Sequence, residues 1–207
     1  MSKPNFESTK EYCFGRLERE LAPNLFYHGI HHTRDDVLPA IERLGQIQKV
    51  GREDFLLLQT GALYHDIGYV EQYLKNEPIA IIIANETLPN FGYSNNQIEK
   101  ISKMIMATQL QMIDGKLIQV PDSNDLLQQL ICDADLDYLG RKDFFVIGEN
   151  LRRELREYGM PKTLGEWCEV QISFQEAHSY FTNAAKSLRN EGKQSNIREL
   201  KELFGRP

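Results

Sequence analysis

The chain has 207 residues, 41% hydrophobic and 26% charged, the proportions of an ordinary globular domain rather than of a disordered or fibrous chain. Its formal net charge of −6 argues against a general attraction to nucleic acid or anionic membranes, while leaving room for a local basic pocket around one phosphate. The strongest apolar run, Ile79 to Ala84, is far short of the roughly 20 residues a membrane-spanning helix requires.

Ser8 and Glu11 have capping-box spacing, which predicts a first helix over about 9–21 with Phe14, Leu17 and Leu21 on its apolar side. Pro23 and Asn24 break it. The second element opens at Tyr27-His-Gly-Ile-His-His-Thr-Arg34 and continues in helical spacing through Val37, Ile41, Leu44 and Ile47. Pro39 within it predicts a kink or a late start. After Gly51 a central helix carries Phe55, Leu58, Ala62 and Tyr69 on one stripe, and Gly68 ends or bends it. A helix over 77–88 has Pro78 in its first turn. Residues 89–93 read as a turn, Ser94 as a cap, and Ile98, Ile101, Ile105 and Thr108 as the next helical face.

The Gly-, Pro- and Asn-bearing stretch 114–124 reads as a loop. Further helices are expected over 125–139, punctuated by Gly140, over 144–158, over a long 164–189, and over a short amphipathic 197–204. Cys13, Cys132 and Cys168 form no CxxC pair and no disulfide framework, and Met1 is followed by a polar stretch rather than a signal region. Reduced, buried thiols in a cytoplasmic protein are therefore expected. With no repeat and little alternating pattern, the expected architecture is all-α, one helical domain over 1–207.

His65 and Asp66 fall inside the apolar stripe of the central helix, one toward each edge. A titratable pair facing inward is costly unless something pairs with it. A hydrogen bond between the two neighbours is one solution, and a metal ion is another. The chain has only five histidines, and His28, His31 and His32 crowd into five positions at the entry to the second helix. Cys132-Asp-Ala-Asp-Leu-Asp137 adds three carboxylates to an otherwise apolar helix. Asp133 and Asp135 flank Ala134, each about 100° from the stripe centre, so periodicity does not choose between them.

Taken in order, these segments resemble the H…HD…D signature of the HD-domain superfamily of metal-dependent phosphohydrolases, over about residues 27–141. Tyr27-His-Gly-Ile-His-His-Thr33 is similar to its Tyr-His-x-x-x-His-Thr opening, and Leu63-Tyr-His-Asp-Ile-Gly68 to its Leu-His-Asp-Ile-Gly segment. The resemblance implies an HD-like helical bundle with additional C-terminal helices over 142–207. It implies His32, His65, Asp66 and Asp135 as ligands of a divalent ion, Mn, Fe, Co, Ni, Zn or Mg. The aspartate after alanine is the one it favours, Asp135 over Asp133. The activity implied is hydrolysis of a phosphoester or nucleotide anhydride by an activated water.

Arg34, Arg141 and Lys142 are the expected phosphate-binding cations, with Lys75 a weaker candidate. Glu71 is a candidate base or hydrogen-bond acceptor behind the ligands, and Asp66 an alternative proton acceptor. Two departures from the family stand out. The acidic residue that relatives carry near the HD pair is replaced here by Gly68 or Tyr69. No histidine lies between Asp66 and Asp133, so Asn76-Glu77 and Thr108 stand where two-metal members place further ligands; one metal is expected. His178 and Trp167 are expected to pack between helices. The expected partner is a small phosphorylated molecule, a nucleotide included; nucleic acid and membrane are not, and a homodimer is left open. The competing expectation is a regulatory domain of the same fold that binds nucleotide or metal without turnover.

Overall fold

The structure, a computed structural model, describes residues 3–160 and 163–204; the ends of the 1–207 span and residues 161–162 lie outside the described residues. Helix α1 (Phe6–Glu20) starts at Asn5, whose side chain accepts the Ser8 N–H at 3.1 Å. The cap is therefore Asn5 and not Ser8; both residue types cap well, and the earlier start lets Phe6 pack on the core.

The second element enters as a wide π-type turn over His32–Val37, closed by the Leu38 N–H on the Thr33 carbonyl, and only then becomes α2 (Leu38–Ile47). Pro39 accounts for this late start. It has no N–H for the carbonyl four residues back and its ring crowds that carbonyl, so the regular ladder is displaced around it.

Helix α3 (Arg52–Tyr64) is the buried centre, with Leu57, Leu58, Ala62, Leu63 and Tyr64 each at most 1% exposed. It ends before His65 and Asp66, and a 3-10 turn over Ile67–Val70 follows. Gly68 in that turn is demanded by space: a Cβ there would lie 2.0 Å from the Asn76 carbonyl oxygen at the start of α4 (Asn76–Thr87). Pro78 sits in the first turn of α4 as expected, and α5 (Asn95–Ala107) carries the Ser94–Gln97 capping box.

A hairpin over 111–118 overlaps the start of the stretch 114–124 read as a loop. Strands β1 (Gln111–Ile113) and β2 (Lys116–Ile118) pair antiparallel with Met112 opposite Leu117, around Asp114 and Gly115 at φ of 49° and 75°. Two positive-φ residues make the turn that tight hairpins need. Strands of three residues are too short for an alternating pattern to register.

Helix α6 (Leu126–Asp135) stops at Asp135, four residues early, and a 3-10 turn over Asp137–Gly140 leads to α7 (Phe144–Glu157). The long helix expected over 164–189 is two, α8 (Leu164–Ala177) and α9 (Asn183–Leu203), and the expected helix over 197–204 is the end of α9. The break is held from outside. Asp133 of α6 accepts the N–H groups of Phe181 and Thr182 at 2.7 and 2.8 Å and the Thr182 hydroxyl at 2.7 Å. Thr182 then caps α9 locally, its hydroxyl accepting the Ala185 N–H at 3.2 Å, while Asp133, 49 residues away, holds that cap in place.

One apolar core joins α1 to α6 and takes in Tyr180, Ala184 and Ala185; a second joins Tyr27, Leu136 and Leu139 to Phe144, Ile172 and Leu200. All three cysteines are free and buried, and no described helix is long and apolar enough to cross a membrane.

The chain crosses α9 at Gly140, backbone against backbone. A Cβ on Gly192 would lie 2.2 Å from the Gly140 carbonyl oxygen. In an isolated helix Gly→Ala is stabilising by about 1 kcal/mol. Here the clash reverses the sign, and Gly192→Ala is expected to lower stability by about 3 kcal/mol. Chemical denaturation checks this; a variant as stable as the parent rules out the close crossing.

Candidate metal centre and its cavity

Four side chains converge where three elements stop being regular helix. His32 opens the wide turn, His65 and Asp66 follow the last residue of α3, and Asp135 is the last residue of α6. His32 Nε2 lies 3.1 Å from Asp135 Oδ1 and 3.6 Å from Asp66 Oδ2. His65 Nε2 lies 3.2 Å from Asp66 Oδ2 and 3.7 Å from Asp135 Oδ1. Donor atoms at right angles on one ion, with bonds of about 2.1 Å, lie roughly 3 Å apart, so this spacing suits a shared cation.

Each ligand is aimed from behind. His65 Nδ1 bonds the Ala62 carbonyl at 2.7 Å and turns Nε2 toward the carboxylates. Asn76 Nδ2 donates to Asp66 Oδ1 at 3.2 Å. Gln119 Nε2 donates to Asp135 Oδ2 at 2.7 Å and to the Thr108 carbonyl at 2.9 Å. Supporting bonds of this kind orient ligands in metal sites. His65 Nε2 and Asp66 Oδ2 are buried and close, yet neither has a partner in hydrogen-bond geometry. Orphaned polar atoms like these are what a cation would satisfy, so the residues fit the group.

With protein charges alone, the cluster favours an ion pair. Burial pulls the His65 pKa down, but the carboxylates of Asp66 and Asp135 outweigh burial and hold it well above the ordinary histidine value. Burial would raise Asp66; His65, and then His28 and His32, hold it well below the usual carboxylate range.

The two α6 aspartates differ in their contacts. Asp133 is wholly buried against the segment that opens α9, whereas Asp135 reaches His32. His32, His65 and Asp66 place one ligand atom each within 4.8 Å of the others; Asp135 stands outside that group, beside the two imidazoles.

Asp66 and Asp135 line one end of a cavity of about 480 Å³ bounded by α4, the hairpin, α7 and α8. Trp167, expected as a packing anchor, is buried and forms part of its wall. His178 lies buried at the α8–α9 break, as expected for a packing residue. Asn76, Glu77 and Thr108 line the cavity as well, and none offers an imidazole.

The expected phosphate cations are elsewhere. Arg34 points to solvent and pairs with Asp35 at 2.8 Å, because two residues beyond His32 on a helical turn is the opposite face. Arg141 is held between Asp36 and Asp143, and with Lys142 lines a separate groove beside α9, since the crossing at Gly140 turns the following residues away from the cluster. Glu71 is 53% exposed, 3.9 Å from Arg16, where the chain leaves the 3-10 turn outward.

Two groups at the cavity were not foreseen. His28, in the bend that precedes the helical turn carrying His32, lines it with its ring stacked on Tyr69 at 4.3 Å. Its Nδ1 pairs with Glu154 of α7, a wholly buried carboxylate that also accepts from the backbone N–H of Tyr27 and His28 at 2.8 and 2.9 Å and from the Tyr73 hydroxyl at 3.2 Å. Burial lowers the His28 pKa, but Glu154, then Asp66 and Asp135, outweigh it and hold it above the ordinary value. The i, i+4 spacing of His28 and His32 was a readable signal; Glu154, in a highly charged helix, had none. The second group is Glu77, half-buried, bonded by Gln109 at 3.1 Å, and pushed above the usual carboxylate range by burial.

Neither the family models nor the curated proteins nor the solved structures contain a match to this chain.

Asp133→Ala should cost about 3 kcal/mol by stranding buried N–H groups, with metal content unchanged. Asp135→Ala should lose bound metal with a much smaller change in metal-free stability. Metal analysis and denaturation of both variants check this, and metal retained in Asp135→Ala rules out its role as a ligand. Metal must also displace the proton that His65 holds. Affinity should therefore fall as pH drops below that raised pKa, by about tenfold per pH unit, and calorimetry in two buffers should register proton release. Affinity independent of pH would exclude the exchange.

Proposed function

We propose that this chain is a metal-dependent phosphohydrolase of the HD-domain type. His32, His65, Asp66 and Asp135 would hold one divalent ion, and a small phosphorylated substrate would sit in the adjoining cavity. The observation that carries this reading is the convergence of four donors, drawn from positions up to 103 residues apart, on buried and partly orphaned atoms at the end of a ligand-sized cavity. An ion bound there supplies Lewis acidity, acidifying a water and polarising a phosphoryl oxygen. A single ion suits the site, because Asn76 donates to Asp66 and the Thr108 hydroxyl bonds the Ile105 carbonyl at 2.8 Å, leaving no second histidine set.

The chain's own residues supply the proton positions. Glu77 in its ionised form accepts a proton from the attacking water, and burial, by raising its pKa, strengthens it as a base; Asp66 is the other acceptor within the cavity. His28, whose charged form Glu154 favours, gives its proton to the leaving oxygen. In the balance, the water oxygen bonds to phosphorus and its proton passes to Glu77, the bond from phosphorus to the ester oxygen breaks, and the alcohol departs with the proton from His28. Glu71 takes no part.

One observation favours the second reading, a regulatory domain that binds without turnover: no guanidinium lines the cavity among the described residues. The two readings separate on a panel of phosphomonoesters, phosphodiesters and nucleotides with Mn²⁺, Co²⁺ or Ni²⁺. Metal-dependent phosphate release is expected. His28→Gln should lower kcat by about 100-fold and remove the loss of activity as pH rises through the His28 pKa, while metal affinity holds. Arg34→Ala and Glu71→Gln should change kcat less than about twofold. Metal bound without any product selects the regulatory reading, and absence of metal binding removes both.

A further inference from the structure

The charge around the cavity limits what it can hold. Its described lining carries three carboxylates, Asp66, Glu77 and Asp135, but Lys75 is the single lysine or arginine. Lys75 is set at the mouth by a backbone at φ 56°, a conformation rare for side chains other than glycine and held by Gln72, whose amide bonds the carbonyls of Leu74 and Lys75 at 2.7 and 2.9 Å. With His28, whose ring lines the cavity, it makes two N–H donors able to meet a phosphate. A polyphosphate brings one charge-bearing group after another and is ordinarily met by an arginine or lysine clamp. The cations that could form one are turned away: Arg34 to solvent, Arg141 between two aspartates.

Much of the described lining beyond the cluster is apolar. Leu117 comes from the hairpin, Leu151 and Leu155 from α7, and Val170 and Phe174 from α8 beside Trp167. That surface continues outward, since Leu74, Leu117 and Val170 are 75%, 39% and 52% exposed while also lining the cavity. A ring of sugar hydroxyls would leave its hydrogen bonds unmet against these side chains. Gln171 is a polar member of this wall, its side-chain carbonyl buried without a partner, which accommodates one donor on the ligand; of the other polar side chains lining the cavity, the Tyr73 hydroxyl is bonded to Glu154, the Thr108 hydroxyl to the Ile105 carbonyl and the Gln109 amide to Glu77.

We infer that the substrate is an ester of a single phosphate on an apolar aryl or alkyl body, with the phosphate at the His–Asp cluster and the body against α7, α8 and the hairpin. This rests on the phosphohydrolase reading of the same site. Recognition is divided: Lys75, His28 and the ligand cluster take the phosphate, and the apolar wall selects the alcohol by length and shape.

Trp167 is the one tryptophan of the chain, so its fluorescence reports occupancy without turnover. The probes are n-alkyl phosphonates from methyl to octyl, which cannot be hydrolysed at the ester position, titrated into metal-loaded and metal-free protein beside a nucleoside triphosphate. With metal, affinity should rise about fourfold per methylene until the wall is covered, and the triphosphate should bind more weakly than the octyl probe. Val170→Asp and Leu117→Asp, at partly exposed positions that tolerate a polar side chain, should weaken the octyl probe at least tenfold. They should leave metal content and methylphosphonate affinity unchanged. A flat series with metal-dependent binding, or tighter binding of the triphosphate, overturns this inference and leaves the phosphohydrolase reading standing. A chain-length slope indifferent to metal overturns the phosphohydrolase reading, and with it the placement of the phosphate.

Discussion

Two carboxylates and two imidazoles brought together out of water form the constraint on which the rest of this structure depends. Left alone, Asp66 and Asp135 would repel each other and lose hydration. The fold answers with one donor behind each carboxylate, Asn76 and Gln119, and with the Ala62 carbonyl behind His65. What remains is a set of lone pairs facing inward, which the proposed cation would satisfy. All three elements that carry these groups depart from regular α-helix at the group itself, at His32, after Tyr64 and at Asp135. A helix presents side chains along one face at set intervals, and bringing four onto one point is easier from such breaks.

The C-terminal helices then make a place for chemistry beside the cluster. Helix α7 contributes Glu154, which orients His28 and favours its charged form across 126 residues of chain, and α8 contributes Trp167 and its apolar neighbours. Their position is locked by Asp133, which binds the Phe181–Thr182 segment at the start of α9, and by the glycine crossing at Gly140 and Gly192. Adjacent aspartates on α6 thus divide the work: Asp133 holds the later helices in place and Asp135 faces the site they enclose.

Much of the architecture could be read locally. Ser94 with Gln97, Pro78 in a first turn and Pro39 at a late start each act through neighbours within four residues, and each behaves as its local chemistry requires. Part of the cluster was readable too, because His65 and Asp66 are incongruous in a hydrophobic helix; the histidine cluster at 28–32 did not by itself single out His32. The Asp-Gly turn of the hairpin was present in the sequence but overshadowed by loop-forming neighbours. The break between α8 and α9 had a local signal in the N-cap Thr182, but the bonds from Asp133 that hold that segment come from α6 and could not be read there.

What the sequence determined by itself is therefore the helical class and the identity of the residues that must not be buried alone. Which of Asp133 and Asp135 joins the cluster, and the removal of Arg34, Arg141, Lys142 and Glu71 from it, were decided only by the tertiary structure. So were the Glu154–His28 pair and the place of Glu77. The reason is that periodicity reports which face of its own helix a residue occupies, whereas a site is assembled from faces of different helices. Their relative rotation is set by packing, by backbone crossings such as Gly140 on Gly192, and by hydrogen bonds between distant segments.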